Sequence, residues 1–199
     1  MSKKKKEVTK PSNFSLSEIV DNGIDFENRI IRINGPIGTA PLMSTEDYYD
    51  FNWLDFALTK MESESTKDIT IRINSQGGDV YEALAMVGRI KASPASIITE
   101  SYGSCMSAAT LLLLSGDWIR LSTFCIPMFH EMSYGTPNQK QPDNKEFVEQ
   151  AEIEQQKMIT FYASHSNKSK DFWRRSMYKT EFYPEPDQLL SWEVVDELI

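Results

Sequence analysis

The chain has 199 residues, 40% hydrophobic and 25% charged, the make-up of one folded domain, long enough to bury roughly 70% of the surface its unfolded form exposes without a disulfide or metal staple. Its 21 Lys and Arg against 29 Asp and Glu leave a net charge of -8, which argues against a nucleic-acid-binding surface, since such a surface needs clustered positive charge to displace counterions from phosphate. Only two cysteines occur, Cys105 and Cys125, both in apolar stretches, so no disulfide framework or Cys-based zinc site is encoded and a reducing, cytoplasmic setting is expected.

Residues 1–25 are polar. Four lysines at 3–6 lead into polar residues and Pro11 rather than the apolar core of a signal peptide, so this stretch reads as a solvated tail ahead of a single domain over 26–199. Residues 29–33 form a short β-rich run stopped by Asn34-Gly35-Pro36, and 45–61 carry Trp53, Leu54, Phe56, Leu58 and Met61 at helical spacing, with Ser44 or Thr45 as cap. Ile69, Ile71 and Ile73 alternate with Thr70 and Arg72 as a second strand. A Gly pair follows, then a helix showing Val80, Leu84 and Val87 on one face.

Residues 96–99 make a third strand. The small residues of 105–109 run into 111–114 as a buried helix ended by Gly116, followed by short strands at 118–121 and 126–129. Such alternation implies crossover connections and a mostly parallel sheet with helices around it, an α/β fold. Polar residues 133–144 form an irregular excursion before a long amphipathic helix through Phe147, Ala151, Met158 and Tyr162, too long for a simple crossover. No run of about 18 apolar residues marks a membrane span.

In a parallel sheet, chemistry gathers in the loops at the carboxyl ends of the strands, and three candidates stand there. In Ile73-Asn-Ser-Gln-Gly-Gly-Asp79 a strand ends in two glycines directly before a helix. This is a plain tight turn, or a place where backbone N–H groups turn outward to hold a developing negative charge. In Tyr102-Gly-Ser-Cys-Met-Ser-Ala-Ala-Thr110, Ser107 opens an apolar helix among small neighbours, as a packing residue or as a nucleophile that a substrate carbonyl can approach. His130 ends the apolar strand Ile126-Pro-Met-Phe-His130, either as a buried structural imidazole or as the base such a serine needs. His165, in Ala163-Ser-His-Ser-Asn167, reads as a solvated or capping residue, and no group of His and carboxylates has metal-ligand spacing.

Together these segments resemble the Clp protease proteolytic subunit, ClpP, and its phage-encoded relatives, over about residues 28–199. Asn28-Arg-Ile-Ile-Arg-Ile-Asn-Gly-Pro-Ile37 is similar to the family's first core strand. Ile71-Arg-Ile-Asn-Ser-Gln-Gly-Gly-Asp79 resembles its Ile-Asn-Ser-Pro-Gly-Gly motif with Gln for Pro. Ser107-Ala-Ala-Thr110 with Ser115-Gly-Asp117 resembles the phage branch, Met128-Phe-His130 resembles Met-Ile-His, and Val194-Val-Asp-Glu-Leu198 the closing segment. The separations of 29 residues from Gly78 to Ser107 and 23 from Ser107 to His130 fit the family with Ser107 as nucleophile, and Ser104 and Cys105 do not fit.

The resemblance implies a ClpP/crotonase-type fold of repeated βα units with a protruding handle at about 133–165. It also implies a serine endopeptidase in which Ser107 attacks, His130 takes its proton, and the backbone N–H groups of Gly78 and Ala108 hold the oxyanion. The family's third triad member, an Asp, aligns near Ser176 or Met177, neither of them acidic; Asp171 and Glu181 lie close by, and a Ser-His dyad is the other arrangement. By the same resemblance the partners are a polypeptide substrate, further copies in stacked heptameric rings, and an AAA+ unfoldase of the ClpX or ClpA type, with no cofactor. Two other functions are the alternatives: a crotonase-like acyl-CoA enzyme, which shares the fold and oxyanion hole but has no use for a Ser-His pair at this spacing, and a catalytically inactive assembly subunit.

Overall fold

The computed structural model describes residues 23–40, 47–133 and 141–199. Seven strands, β1 Ile24–Asp25, β2 Ile30–Ile33, β3 Ile69–Ser75, β4 Ile97–Met106, β5 Trp118–Leu121, β6 Ile126–Met128 and β7 Glu197–Leu198, form one sheet in the order β1-β2-β3-β4-β5-β7, with β6 on the outer half of β4. Every pairing is parallel except β1 with β2. The helices are α1 Phe51–Glu64, α2 Val80–Lys91, α3 Ala108–Leu113, α4 Gln141–Ser164, α5 Lys170–Met177 and α6 Pro186–Ser191.

Alternation in the strands and periodicity in the helices meet in one core. Ile31, Ile33, Ile69, Ile71 and Ile73 turn one face of the sheet onto Leu54, Leu58 and Met61 of α1, Met86 and Ile90 of α2, and the wholly buried α3. A helix with no charged side chain and every residue buried, as α3 is, is stable only when surrounded. The Asp50 carboxylate caps α1 by accepting from the Trp53 N–H at 2.9 Å, and that of Asp79 caps α2 by accepting from Tyr81 and Glu82. Arg89 of α2 ties the two helices together, donating to Asp55 at 2.6 Å and to Glu62 at 2.6 and 3.0 Å.

Three local expectations are corrected. The first helix begins at Phe51 behind its Asp50 cap rather than at 45; positions 44 and 45 lie outside the described residues. Residues 105 and 106 are strand, not helix, because β4 continues alongside a second parallel partner, with Ser104, Cys105 and Met106 opposite Ile126, Pro127 and Met128. Between its contacts with Ile73 and Ser75, β4 takes up two extra residues, an irregularity of the kind that bends a strand and lets it leave β5 for β6. Third, residues 24 and 25, read as the end of the solvated tail, are the buried strand β1, paired with β2; neither β1 nor the helix α6 carries a periodic signal long enough to read. The long helix is present as α4, while residues 134–140 of the expected excursion, like residues 1–22 of the tail, fall outside the described residues.

Candidate active site

The register of β4 and β6 builds the centre. Met106 lies opposite Met128, and the Ser107 N–H donates to the Met128 carbonyl at 2.8 Å, so the residues that follow each strand emerge side by side. Ser107 turns the chain from β4 into α3 with φ 53° and ψ -126°, a conformation that costs a residue with a Cβ about 1–3 kcal/mol. A serine at a helix N-cap ordinarily accepts a backbone N–H. Here it makes no such bond, and its Oγ lies 2.6 Å from His130 Nε2.

Two supports hold this pair from behind. The Ser107 carbonyl accepts from the Thr110 N–H at 3.0 Å and from the Thr110 hydroxyl at 2.7 Å, and that hydroxyl is also 2.9 Å from the Tyr162 hydroxyl on α4. Tyr162 is fully buried, and its phenol is pushed far above the usual range by burial, so it acts here only as a hydrogen-bonding hydroxyl. On the His130 side, Phe129 and Phe182 exchange backbone hydrogen bonds at 2.9 and 2.8 Å, and the buried Phe129 ring packs on Tyr162 and Trp173 at centroid distances of 5.2 and 5.1 Å. Neither support was legible in the sequence; a threonine three residues beyond the serine was the only local cue.

The glycine turn closes on the same place. Gly77 and Gly78 have φ of +98° and +149°, and a Cβ on Gly77 would meet the Met106 carbonyl at 2.7 Å and the Ala108 nitrogen at 2.9 Å. The turn therefore lies directly against the Ser107–Ala108 peptide. It is pinned by Ile37, whose N–H donates to the Gly77 carbonyl at 2.9 Å and whose carbonyl accepts from Asp79 at 2.8 Å. Neither the Gly78 nor the Ala108 N–H makes a backbone hydrogen bond among the described residues, which leaves both as donors for a negatively charged oxygen.

The other sequence candidates stand apart. Cys105, two residues before Ser107, is wholly buried, and burial drives its thiol well above its ordinary pKa; Cys125 is likewise raised by burial. Thiols held protonated in the core are poor nucleophiles. His165 ends α4 with Nδ1 2.8 Å from the Phe161 carbonyl of its own helix and its ring against the Phe161 ring, the capping arrangement read from the sequence; burial lowers its pKa. Asp171 is taken up by Arg175 at 2.8 Å and Arg174 at 3.7 Å. Glu181 shares a cavity of about 400 Å³ with His130, Met177 and Thr180, but its carboxylate accepts from the Tyr183 hydroxyl at 2.6 Å. Among the described residues, Ser107 is the one hydrogen-bond partner of the His130 ring. Also among the described residues, no cluster of three or more His, Cys, Asp or Glu is placed to hold a metal ion, and no helix is long and apolar enough to cross a membrane.

Comparison with known proteins gives a consistent result. Residues 46–199 match the family described as Clp protease. The ATP-dependent Clp protease proteolytic subunit 1 of Rhodopirellula baltica is 26% identical over 178 residues, covering 87% of this chain and 73% of that protein. The ATP-dependent Clp protease proteolytic subunit of Deinococcus radiodurans is 24% identical over 137 residues, 67% of this chain and 65% of its own length. Among solved structures, a point mutant of ClpP1 from Listeria monocytogenes superposes with a TM-score of 0.75 at 18% identity, over 87% of this chain and 92% of that one, and so shares the fold.

Proposed function

The chain belongs to the Clp protease family, and from that premise we propose that it is a serine endopeptidase with Ser107 as nucleophile and His130 as base. The observation that carries the reading is the 2.6 Å approach of Ser107 Oγ to His130 Nε2. As Oγ attacks a peptide carbonyl, Nε2 takes the hydroxyl proton, a C–O bond forms, and the Gly78 and Ala108 N–H groups receive the oxyanion. Collapse of the tetrahedral species breaks the C–N bond, and His130 returns the proton to the leaving amine. Water, deprotonated by the same imidazole, then frees the acyl group and restores Ser107. Each oxyanion donor in such a site is worth about 3 kcal/mol of barrier lowering.

With the Asp171 and Glu181 carboxylates bonded elsewhere, the site works as a Ser-His dyad. Like the members of its family, the chain acts as one subunit of stacked heptameric rings, with α4 in the handle that joins the rings. It receives unfolded polypeptide from an AAA+ unfoldase of the ClpX or ClpA type, in the cytoplasm, and its motifs ally it with the phage-encoded branch.

Labelling with a fluorophosphonate probe followed by peptide mapping tests the chemistry. The label is expected on Ser107 and is expected to disappear in Ser107→Ala and in His130→Ala while persisting in His165→Ala. Labelling that survives Ser107→Ala, or that depends on His165 and not on His130, overturns the assignment.

A further inference from the structure

Among the described residues three carboxylates are buried, those of Asp25, Glu100 and Glu154. Asp25 has Arg32 as its cationic partner, and Glu100 has Arg72 and Arg120. Glu154 of α4, 6% exposed, has none. Its oxygens accept from the Tyr81 hydroxyl, 2.9 Å from each of them, and from Gln150 Nε2 at 2.7 Å. The same hydrogen bond raises the Tyr81 phenol above its usual range, so the hydroxyl stays protonated as a donor. Neutral donors orient a carboxylate but leave its charge uncancelled, and a buried charge is ordinarily paired with an opposite one.

The chain path ties this charge to the cleft in front of Ser107. Tyr81 stands in the first turn of α2, three residues beyond Gly78, which puts the two Cα atoms within about 11 Å of each other. On α4, Glu154 is followed by the buried Met158 and Tyr162 at intervals of four residues, so the three share one face of the helix. Tyr162 meets Thr110, three residues beyond Ser107. The contact between Tyr81 and Glu154 thus bridges the helix that leaves the glycine turn and the helix that supports the nucleophile.

We propose that Glu154 is a specificity-determining residue of this cleft and takes the Lys or Arg side chain of the residue that supplies the scissile carbonyl. The proposal rests on the peptidase reading above. A carboxylate offers about four acceptor sites and three contacts are in use here, so an ammonium or guanidinium head completes the set and brings the missing charge. The apolar stem of such a side chain lies along the exposed Tyr81 ring. An acidic side chain at that position meets like charge and is rejected.

Internally quenched peptides, identical except for Lys, Arg, Leu or Glu at one central position, test the proposal on the full-length protein, with mass spectrometry of the products locating the cut. Cleavage after Lys or Arg is expected at a kcat/KM about tenfold or more above cleavage after Leu, with Glu slowest. That ratio is expected to collapse in Glu154→Gln and to recover in part in Glu154→Asp. Glu152→Gln removes the same charge from an exposed position of the same helix and is expected to keep the ratio, which separates a local contact from the general attraction of an acidic chain for basic peptides. Fluorescence anisotropy of labelled peptides on protein carrying Ser107→Ala gives a reading independent of turnover: the Lys peptide is expected to bind about tenfold or more tighter than the Leu peptide, and the gap is expected to close when Glu154→Gln is added. The proposal is overturned if the parent prefers Leu or treats the two alike, if the ratio survives Glu154→Gln, or if Glu152→Gln lowers it as much. Fluorophosphonate labelling of Ser107 with no such preference sinks this inference and leaves the peptidase reading standing. Glu154-dependent binding of the Lys peptide without cleavage of any peptide supports the charge site and counts against the peptidase reading.

Discussion

Ser107 and Cys105 sit two residues apart at the end of one strand, and the fold gives them opposite chemistry. Cys105 faces the core with no exposure, its thiol held protonated by burial, while the Ser107 hydroxyl is turned outward by the left-handed φ of its own residue. Iodoacetamide is therefore expected to leave Cys105 unmodified in the folded protein, and Cys105→Ala to keep fluorophosphonate labelling; mass spectrometry of the native and denatured protein checks both. The Nδ1 side of the imidazole makes the second point. Phe129 and Phe182 are bridged in antiparallel fashion, which brings Glu181 alongside His130, yet its carboxylate is held by Tyr183, whose phenol is in turn raised by that hydrogen bond. Glu181→Gln is expected to change kcat by less than about threefold, as a dyad requires. A loss of orders of magnitude, as follows when an imidazole takes the wrong tautomer, would make Glu181 the orienting group.

At the scale of elements, the site is placed by how strands and helices are held together rather than by the loops alone. The Arg89 clamp fixes α1 on α2, the helix that the glycine turn runs into. Burial tends to raise the Glu62 carboxyl, but its hydrogen bonds from Arg89 and Ser93 outweigh this and hold it below the ordinary glutamate range. A carboxylate depressed in the folded state contributes stability above its unfolded pKa, about 4.3, and that contribution is lost as pH falls through the folded value. Glu62→Gln is thus expected to destabilise the protein by about 1–2 kcal/mol near pH 7 and to converge on the parent as acid protonates the Glu62 carboxylate of the folded state; urea unfolding near neutral pH and in progressively more acid buffer measures the difference. Likewise α4 bears on the centre through Tyr162 and the aromatic contacts it shares with Phe129 and Trp173, so this long helix braces the site.

For the whole molecule, a sheet with parallel pairing throughout its interior is ordinarily covered on both faces, yet one face here is partly open and carries charged and aromatic groups, Tyr102 and Trp118 among them. Further copies of the chain are expected to cover part of this surface. Sedimentation velocity is expected to show a species several times the 22.8 kDa mass of one chain; a monomer at micromolar concentration that still cleaves peptides would show that assembly is not needed for the chemistry.

The sequence by itself determined the α/β class, the order of the principal strands and helices, and the candidate residues, because alternating isoleucines, helical apolar stripes and a glycine pair before a helix are local signals that depend on near neighbours alone. Tertiary structure decided the rest. Whether residues 105 and 106 were strand or helix depended on β6, about 20 residues later in the chain, and local propensity carries no information about such a partner. That Ser107 meets His130 follows from the parallel register of those two strands, and the positions of Thr110, Tyr162 and Phe182 around the pair follow from packing between distant segments. The surroundings of Asp171 and Glu181 belonged to the same class: both were near the right place in the chain, and only the fold showed one bonded to arginines and the other to a tyrosine, since hydrogen-bond partners are chosen in space and not along the sequence.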